Sequence, residues 1–385
     1  MTERLYYKDS YIKEFEATVT GCEAKGGLFY VTLDRTAFFP EGGGQPADVG
    51  YLGEARVLDA HERDGDVVHY VDRYLEVGSS VVGRLDFDRR FRLMQNHGGE
   101  HVLSGVVNRR FGLNNVGFHM GSVDITVDYD GFLDRETLRE IELEANVLIC
   151  KNLAVKCWYP TPDELRGLDY RSKKALEGDI RIVEIEGCDR CACCAPHLAR
   201  TGEIGMIKLL DSYKYKGGVR VHLHCGLDAL DDYNRKFDAV RTIANAMSVS
   251  QNEIVDAYFK LDADFAAYRA EASVLRSELL SVKVAAIEPT DGDVCLIENG
   301  LSGDELRKFA LAVAERCKGI CAVFSGNESL YNYVVVSRSV PLRAYSRELN
   351  AALNGRGGGS DEMLQGRVNC SEAAIKEFFA SGKRN

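Results

Sequence analysis

The sequence predicts an α+β protein made of four parts: a small N-terminal β-barrel, an α+β core, a long heptad helix and a C-terminal α/β domain. Short β-like segments separated by Gly and Asp fill roughly the first 90 residues, which is typical of a small barrel. Apolar residues recur at alternating steps of four and three between Ile254 and Val282, as in a coiled coil. Strand-like and helix-like segments alternate after Pro289, which favours an α/β fold. We therefore expect domains at residues 1–90, 91–230, 231–289 and 290–385.

The barrel is predicted from segments that alternate polar and apolar residues or are rich in β-branched side chains. A loop among them, Thr36–Gly50, contains three consecutive glycines followed by Gln45. Glycine permits positive φ and a close approach of the backbone to a ligand, so the segment is either a binding loop or only a tight hairpin. The length and order of the motif favour a binding loop. The predicted strands are Phe15–Cys22, Gly27–Leu33, Tyr51–Leu58, Val67–Val71 and Val81–Leu85.

The core is predicted to begin with a helix at Phe87–Arg110. Gly98 and Gly99 each cost this helix roughly 1 kcal/mol of stability, which indicates that space is needed there. The other elements expected in the core are a strand within Gly117–Asp128, an amphipathic helix at Asp134–Cys150 and strands at Ile180–Ile185 and Val219–Cys225.

The long helix is predicted to start at a capping box formed by Ser250 and Glu253 and to stop before Pro289. Its heptad seam needs a partner, which is the helix itself, a second chain or the next domain. Beyond it, the glycine run Gly355–Ser360 contains Arg356 and is either a phosphate-binding loop or a helix C-cap and turn. The other predicted elements are strands at Asp293–Ile297, Gly319–Ser325 and Tyr331–Ser337 and helices at Asp304–Cys317 and Arg347–Leu353.

Two motifs have the spacing of metal ligands. His97 and His101 are four residues apart in a predicted helix, so both imidazoles lie on one face, one turn apart. Cys193 and His197 repeat this spacing later in the chain. Three imidazoles and one thiolate are typical of Zn²⁺ rather than of Mg²⁺ or Ca²⁺. The sequence therefore predicts a zinc site at these four residues.

The composition is that of an ordinary globular protein, with 45% hydrophobic and 28% charged residues. It includes no apolar run of membrane-spanning length and no signal-peptide-like N-terminal segment, so we expect the cytoplasm. Twelve cysteines are then thiols or metal ligands rather than disulfides. A net charge of −11 argues against indiscriminate nucleic-acid binding but is compatible with a local basic surface.

These motifs resemble those of the alanyl-tRNA editing domain and of its freestanding AlaX-type relatives. The glycine-rich loop, the His97/His101 pair, the Cys193/His197 pair and the segment Arg200–Gly205 follow the family's order at compatible spacings. The resemblance covers nearly the whole chain. The C-terminal part is similar to the DHHA1-like domain at the end of alanyl-tRNA synthetases.

The resemblance implies a zinc-dependent hydrolase that acts on mischarged tRNA(Ala), carrying serine or glycine. It also implies tRNA as a partner. The heptad seam favours a homodimer formed through the long helix or the C-terminal domain. His119 and Glu100 are the candidate catalytic residues. Expected substrate-binding residues are Thr36, Gly42, Gly43, Gly44, Gln45, Asp48, Gly98 and Ser122. Expected tRNA contacts are Arg89, Arg90, Arg92, Lys214, Lys216 and Arg220.

Several alternatives stay open at this point. Gly98 stands where the family often has Ser or Thr, so the preference between seryl and glycyl esters is undecided. Zinc can activate water or only position the substrate. A zinc-stapled tRNA-binding protein without activity is the second hypothesis. A redox or metal-trafficking protein based on Cys188, Cys191 and Cys194 is the third, although the strand–Cys-x-x-Cys–helix setting of thioredoxins is missing.

Overall fold

The computed structural model describes residues 1–121, 125–172 and 179–381. It divides into two compact units, Met1–Ala246 and Met247–Asn385. Helices and several sheets occur in both, which confirms the α+β class. The finer division into four domains remains a prediction. Within the described residues, no helix is both long enough and apolar enough to span a membrane.

The N-terminal part of the first unit is a ring of paired strands. Strands β2, β3, β7, β6, β5 and β8 pair in that order, and β8 returns to β2, which closes a barrel. Its interior is filled by alternating apolar side chains such as Val19, Val31, Leu52 and Val57, as expected where one face of a strand is buried. In chain order the strands are β1 (Glu3–Arg4), β2 (Glu14–Lys25), β3 (Leu28–Leu33), β4 (Arg35–Thr36), β5 (Gly50–Leu52), β6 (Ala55–Arg63), β7 (Asp66–Val71) and β8 (Ser80–Leu85).

The rest of this unit packs around a helix that begins directly after the barrel. This helix starts at the N-cap Asp86, whose side chain accepts from Arg89 N–H, and ends at Gly112, which has a φ of 67°. Glycine is favoured there because a left-handed C-cap is strained for other residues. The elements are α1 (Phe87–Phe111), β9 (Asn115–Met120), β10 (Ile125–Tyr129), α2 (Arg135–Cys150), β11 (Val155–Trp158), α3 (Pro162–Arg166), β12 (Ile182–Ile185), β13 (Asp189–Ala192), β14 (Ile207–Tyr215), β15 (Gly218–Cys225) and α4 (Gly226–Met247).

Two sheets cover α1. One has the strand order β14-β15-β10-β9 and the other β11-β12-β13. A Cβ on Gly99 would lie 2.2 Å from the Cys225 sulfur, so glycine allows α1 to approach β15 closely. A Cβ on Gly98 would meet Ile204 at 3.2 Å. The prediction that Gly98 binds substrate is therefore wrong, because this position faces the core.

A buried ion pair joins the barrel to α1 and overturns two further predictions. Arg90 is 0% exposed and Asp48 is 1% exposed, and Arg90 Nε donates to Asp48 Oδ1 at 2.8 Å. Arg90 also donates to the Ala37 carbonyl at 2.7 Å, and Asp48 accepts from Phe39 N–H at 2.6 Å. Arg90 is therefore not a tRNA contact, and Asp48 is not a substrate ligand. Both are committed to internal hydrogen bonds.

Thr36 was also expected to bind substrate, and its position contradicts this. Its side chain is fully buried, and its hydroxyl lies 2.8 Å from His69 Nε2. Burial lowers the pKa of His69 to about 4, which keeps the imidazole neutral inside the barrel. Thr36 thus satisfies a buried polar group of the barrel.

The second unit contains a long helix and a five-stranded sheet. The sheet order is β16-β17-β18-β20-β19, with β16 and β17 parallel and the other pairs antiparallel. The predicted phosphate-binding loop or turn is wrong, since the glycine run forms the strand β19. The elements are α5 (Ile254–Ala285), β16 (Val294–Ile297), α6 (Gly303–Val313), β17 (Cys321–Asn327), β18 (Leu330–Val336), α7 (Leu342–Ala352), β19 (Gly355–Gly359), β20 (Met363–Asn369) and α8 (Glu372–Ala380).

The heptad seam lies on α5, which follows the predicted capping box of Ser250 and Glu253. Much of the seam is solvent-exposed. An apolar stripe of this length is unusual on a monomer surface, so the expectation of a partner remains a prediction. The seam residues that are 53–69% exposed are Tyr258, Leu261, Phe265, Tyr268, Leu275, Leu279 and Val282.

Candidate metal centre

The structure brings the four predicted metal ligands together. His97 and His101 project from one face of α1, and Cys193 and His197 lie in the segment that follows β13. The nitrogen and sulfur ligand atoms all lie within 4.8 Å of one another. The ring centroids of His97 and His101 are 5.4 Å apart. The ring of His197 lies 5.0 Å from that of His97 and 4.9 Å from that of His101. This cluster could hold a metal ion.

One ligand-to-ligand distance in the cluster matches the value expected for a tetrahedral zinc site. Zn–S bonds of about 2.3 Å and Zn–N bonds of about 2.0 Å place sulfur and nitrogen about 3.5 Å apart at a tetrahedral angle. The distance from Cys193 Sγ to His97 Nε2 is 3.4 Å. His101 Nε2 is buried and has no hydrogen-bond partner among the described residues. A buried ring nitrogen without a partner is unfavourable, and a bound metal would satisfy it.

Both helix histidines are oriented by hydrogen bonds at their other ring nitrogen. His97 Nδ1 lies 2.9 Å from Gln45 Oε1, and His101 Nδ1 lies 2.8 Å from Asp189 Oδ2. These bonds leave Nε2 of each ring directed to the metal position. Gln45 was expected to contact substrate, whereas the structure places its side chain against His97, one of the predicted metal ligands.

Asp189 was missed by the sequence analysis. Arg171 holds its carboxylate with two hydrogen bonds, from Nε to Oδ1 at 2.7 Å and from Nη2 to Oδ2 at 2.8 Å. Burial raises the pKa of Asp189, but the hydrogen bonds from His101 and Arg171 outweigh it and hold the pKa below its usual value. The carboxylate is therefore ionised and fixed. The only sequence feature that pointed to Asp189 was its position between Cys188 and Cys191.

Replacing Asp189 by Asn is expected to weaken zinc binding between about 10- and 100-fold, the usual loss for a residue that orients a metal ligand. The amide cannot accept from both His101 and Arg171 as the carboxylate does. Zinc affinity measured by competition with a chelator tests this. The matched control is Asp59→Asn, because Asp59 also accepts from a histidine, His61, but on the barrel surface. Equal zinc affinity in both variants would remove Asp189 from this role.

The glycine-rich loop lies over the cluster. A Cβ on Gly43, which has a φ of +62°, would lie 3.7 Å from Cys194 Sγ and 4.0 Å from His97 Cε1. A Cβ on Gly44 would lie 2.4 Å from the Phe118 carbonyl oxygen, so only glycine allows this approach. Gly42 pairs with Gln45 in a tight turn. The loop is therefore a hairpin and also covers the cluster of histidines and cysteine.

A cavity of about 1070 Å³ opens beside the cluster and reaches His101 and Cys193. This volume slightly exceeds the usual range of about 300–1,000 Å³ for pockets that enclose a drug-sized ligand. Other residues that line it are Arg4, Tyr7, Lys8, Phe118, Tyr159 and Arg181. The cluster is thus accessible from a cavity much larger than a seryl or glycyl group.

The two candidate catalytic residues are not positioned as expected. His119 is exposed and follows Phe118 on β9, whose ring contacts His97 at 5.2 Å between centroids. Successive strand side chains point to opposite faces, so His119 points away from the cluster. Glu100 is buried and accepts from the Ser104 hydroxyl at 2.7 Å and from the Asn115 amide. It joins α1 to β9 and does not line the cavity. Ser122 lies outside the described residues.

The other predicted tRNA contacts divide into two classes. Three arginines are already partnered, and two lysines are exposed. Arg89 donates to the Ala47 carbonyl at 2.7 Å, Arg92 pairs with Asp228 and Asp231 at 2.7 Å each, and Arg220 pairs with Asp128 at 2.6 Å. Lys214 and Lys216 are exposed near the β14–β15 turn.

Two of the three additional cysteines are buried, and Cys194 is exposed. Cys188 and Cys191 are buried, and burial raises their pKa values to about 12 and about 11. Reactive thiols have lowered pKa values and partial exposure. Burial therefore disfavours the thiolate form of Cys188 and Cys191. His101, Asp189 and Cys191 do form a second group with metal-ligand proximity, and it shares His101 with the first.

Comparisons with known proteins agree with this site. Residues 180–222 match the family described as threonyl and alanyl tRNA synthetase second additional domain, which includes Cys193 and His197. The chain is 28% identical to the alanyl-tRNA editing protein AlaX-L of Pyrococcus horikoshii over 403 residues, covering 98% of this chain and 97% of that protein.

Similarity extends to alanine–tRNA ligases. The ligase of Ignicoccus hospitalis is 30% identical over 92% of this chain and 40% of its own length, and that of Halobacterium salinarum is 32% identical over 89% and 39%. The chain thus spans about two fifths of the ligases that it matches. The C-Ala domain of Aquifex aeolicus alanyl-tRNA synthetase is 23% identical over 23% of this chain and 87% of that domain, with a TM-score of 0.21, too low to support a structural argument. On the sequence matches, the chain is similar over nearly its whole length to an alanyl-tRNA editing protein of the AlaX type, and it contains a segment of the second additional domain of threonyl and alanyl tRNA synthetases.

Proposed function

We propose that the protein is a zinc-dependent hydrolase that removes serine, and also glycine, from mischarged tRNA(Ala). The observation that carries this proposal is the cluster of three histidines and one cysteine, two of which, His101 and Cys193, line a large cavity. The similarity to AlaX-L over nearly the whole of both chains supports the same function. In this proposal the chain has four parts: an N-terminal barrel with the glycine loop, a core that holds the metal, a helical linker and a C-terminal domain.

A bound zinc ion would supply positive charge to polarise the ester carbonyl or to hold the end of the substrate. His97, His101, Cys193 and His197 would hold the ion, and Gln45 and Asp189 fix two of these rings. The loop at Gly43 and Gly44 then limits the space above the ligands, and its backbone is available to orient the small amino acid.

Replacing Gly43 by Val is expected to lower deacylation between about 10- and 100-fold, because a displacement of about 1 Å at the reacting groups has an effect of this size. The added methyl groups would project towards Cys194 and His97. Zinc content should stay unchanged. The matched control is Gly53→Val, since Gly53 has a similar φ of +58°, but a Cβ added there would meet no atom of the described residues within 4 Å. If both variants keep full activity on seryl-tRNA(Ala), the loop acts only as a turn.

The surface around the β14–β15 turn is suited to RNA. Lys214 lies 5.5 Å from the ring of Phe132, and Lys216 lies 5.1 Å from the ring of Tyr215. Phe132 and Tyr213 are 61% and 46% exposed. Cations next to exposed rings combine phosphate attraction with base stacking. We infer that this surface contacts the acceptor end of the tRNA.

The double substitution Lys214→Gln, Lys216→Gln is expected to reduce the salt dependence of tRNA binding by about two in the slope of log K against log salt. Each lysine that contacts a phosphate releases about one counterion. The control is Lys25→Gln, because Lys25 also lies over a tyrosine, Tyr30, at 5.7 Å, but on the barrel. Identical slopes for the wild type and the double variant would exclude this surface.

A second function is favoured by one observation. Four protein ligands fill a tetrahedral site, as in structural zinc centres. The alternative is therefore a zinc-stapled tRNA-binding protein without hydrolytic activity. Incubating zinc-loaded protein with seryl-, glycyl- and alanyl-tRNA(Ala) separates the two: the first proposal requires release of serine or glycine, and the alternative requires tRNA binding with no release. The redox hypothesis is less favoured, because Cys188 and Cys191 are buried in the core.

A further inference from the structure

One arginine connects the metal cluster to a chain segment that carries none of the four ligands. Arg171 follows α3 and directly precedes Ser172, which lines the cavity. The Arg171 N–H donates to the Arg190 carbonyl at 2.8 Å, and the Ala192 N–H donates to the Arg171 carbonyl at 2.9 Å. Through these two bonds the backbone of Arg171 is attached to β13 as a parallel bridge.

The side chain of Arg171 reaches the cluster through Asp189. Its guanidinium donates to both carboxylate oxygens, and Asp189 Oδ2 lies 2.8 Å from His101 Nδ1. A guanidinium that binds both oxygens fixes the plane of the carboxylate as well as its position. The side chains of Arg171 and Asp189 are only 12% and 2% exposed, so water competes little for these bonds. The orientation of the His101 ring therefore depends on where Arg171 is held.

The helix that carries His101 is already in close contact with the start of β13. Gly105 follows His101 by one turn on α1. A Cβ on Gly105 would lie 2.5 Å from the Cys188 carbonyl oxygen and 2.8 Å from Asp189 Cβ. Packed interiors of this kind do not adjust to fill a gap, so α1 cannot follow a displaced carboxylate. A movement of Arg171 is thus transmitted to the bond between Asp189 and His101.

We propose that Arg171 is a positioning residue through which metal binding at the cluster and attachment of the Arg171 backbone to β13 stabilise each other. The inference rests on the proposed function for the presence of the metal, but not for hydrolysis. His101 directs Nε2 to the metal position and donates from Nδ1 to Asp189, which holds Arg171. Because Ser172 lines the cavity, one edge of the cavity then depends on the metal even when four protein ligands fill its coordination sphere.

The test is hydrogen–deuterium exchange at the Arg171 and Ala192 amides of the full-length protein, with and without zinc. Both amides are expected to exchange about 10- to 100-fold faster without zinc, because coupling between two sites is reciprocal and residues that orient a ligand change metal affinity by this factor. Amides of the barrel strand β7 should exchange equally in both states. Equal protection of the Arg171 and Ala192 amides with and without zinc would overturn the inference.

Zinc affinity of variants gives a second readout. Arg171→Gln should raise the zinc dissociation constant about 10- to 100-fold, and Arg171→Lys should raise it less, because lysine keeps the charge but not the two-pronged contact. The control is Arg190→Gln. Arg190 lies on the same strand, but its side chain is 37% exposed and donates to Glu184 at 3.0 Å instead of to Asp189. Equal zinc affinity of Arg171→Gln and wild type would contradict the assignment.

Exchange in Arg171→Gln separates positioning from a merely structural role. The inference predicts that zinc no longer changes protection of the Ala192 amide in this variant. An arginine that only stabilised the sheet would lower that protection by the same factor in both metal states. If the wild type binds zinc but hydrolyses no charged tRNA, the proposed function fails, whereas zinc-dependent protection at Arg171 still supports the coupling.

Discussion

Replacing His101 by Ala is expected to remove the bound zinc and to lower deacylation by at least about 100-fold, more than the loss of a residue that only orients a ligand. His101 is 2% exposed and its Nε2 has no other hydrogen-bond partner in the described part of the chain. The substitution removes one of the four nitrogen and sulfur ligands of the cluster. Zinc content by elemental analysis and turnover on seryl-tRNA(Ala) measure the two effects.

Single alanine variants of Cys193, His197 and Cys191 decide which group holds the metal. Loss of zinc in Cys193→Ala and His197→Ala assigns it to the cluster with His97. Retention in both, with loss in His101→Ala and Cys191→Ala, would assign it to the group formed by His101, Asp189 and Cys191. His61→Ala serves as the control, because His61 is a partly exposed histidine on the barrel.

Replacing Asp48 by Ala is expected to lower the free energy of unfolding by about 3–5 kcal/mol. The substitution leaves the guanidinium of Arg90 buried without its counter-charge and leaves Phe39 N–H without its acceptor. A charge in that position cannot reach water, because Arg90 is 0% exposed. Urea unfolding followed by circular dichroism measures the change.

The control for this prediction is an exposed pair on the same barrel. Glu14 and Arg84 pair at 2.8 Å, but both side chains are 59% exposed. Glu14→Ala should change stability by less than about 1 kcal/mol, the usual range for surface ion pairs. Equal effects of Asp48→Ala and Glu14→Ala would show that the buried pair does not hold the barrel on α1.

The sequence was informative where a local pattern determines the structure. The spacing of His97 and His101 places two rings on one helix face, and the structure brings Cys193 and His197 next to them. The capping box at Ser250 and the heptad steps on α5 also depend only on near neighbours. The glycine loop was recognised because three consecutive glycines indicate a backbone that needs positive φ or a close approach to another group.

Long-range partners were not visible in the sequence. Arg90 looked like one of three arginines on a helix surface, but Asp48 lies 42 residues away and buries it. Asp189 reaches His101 across 88 residues. His119 was placed wrongly because the direction of a side chain on a strand depends on a register that only the neighbouring strands fix. The glycine run at Gly355 pairs as a strand with β20, which overrides the low strand propensity of glycine.

The most direct test of the central proposal is single-turnover deacylation of seryl-, glycyl- and alanyl-tRNA(Ala) by zinc-loaded wild type, with Cys193→Ala measured in parallel. The proposal predicts release of serine or glycine well above the rate in buffer, slower release of alanine, and loss of activity in Cys193→Ala. Rates equal to buffer for all three esters, from a protein that retains zinc and binds tRNA, would contradict it.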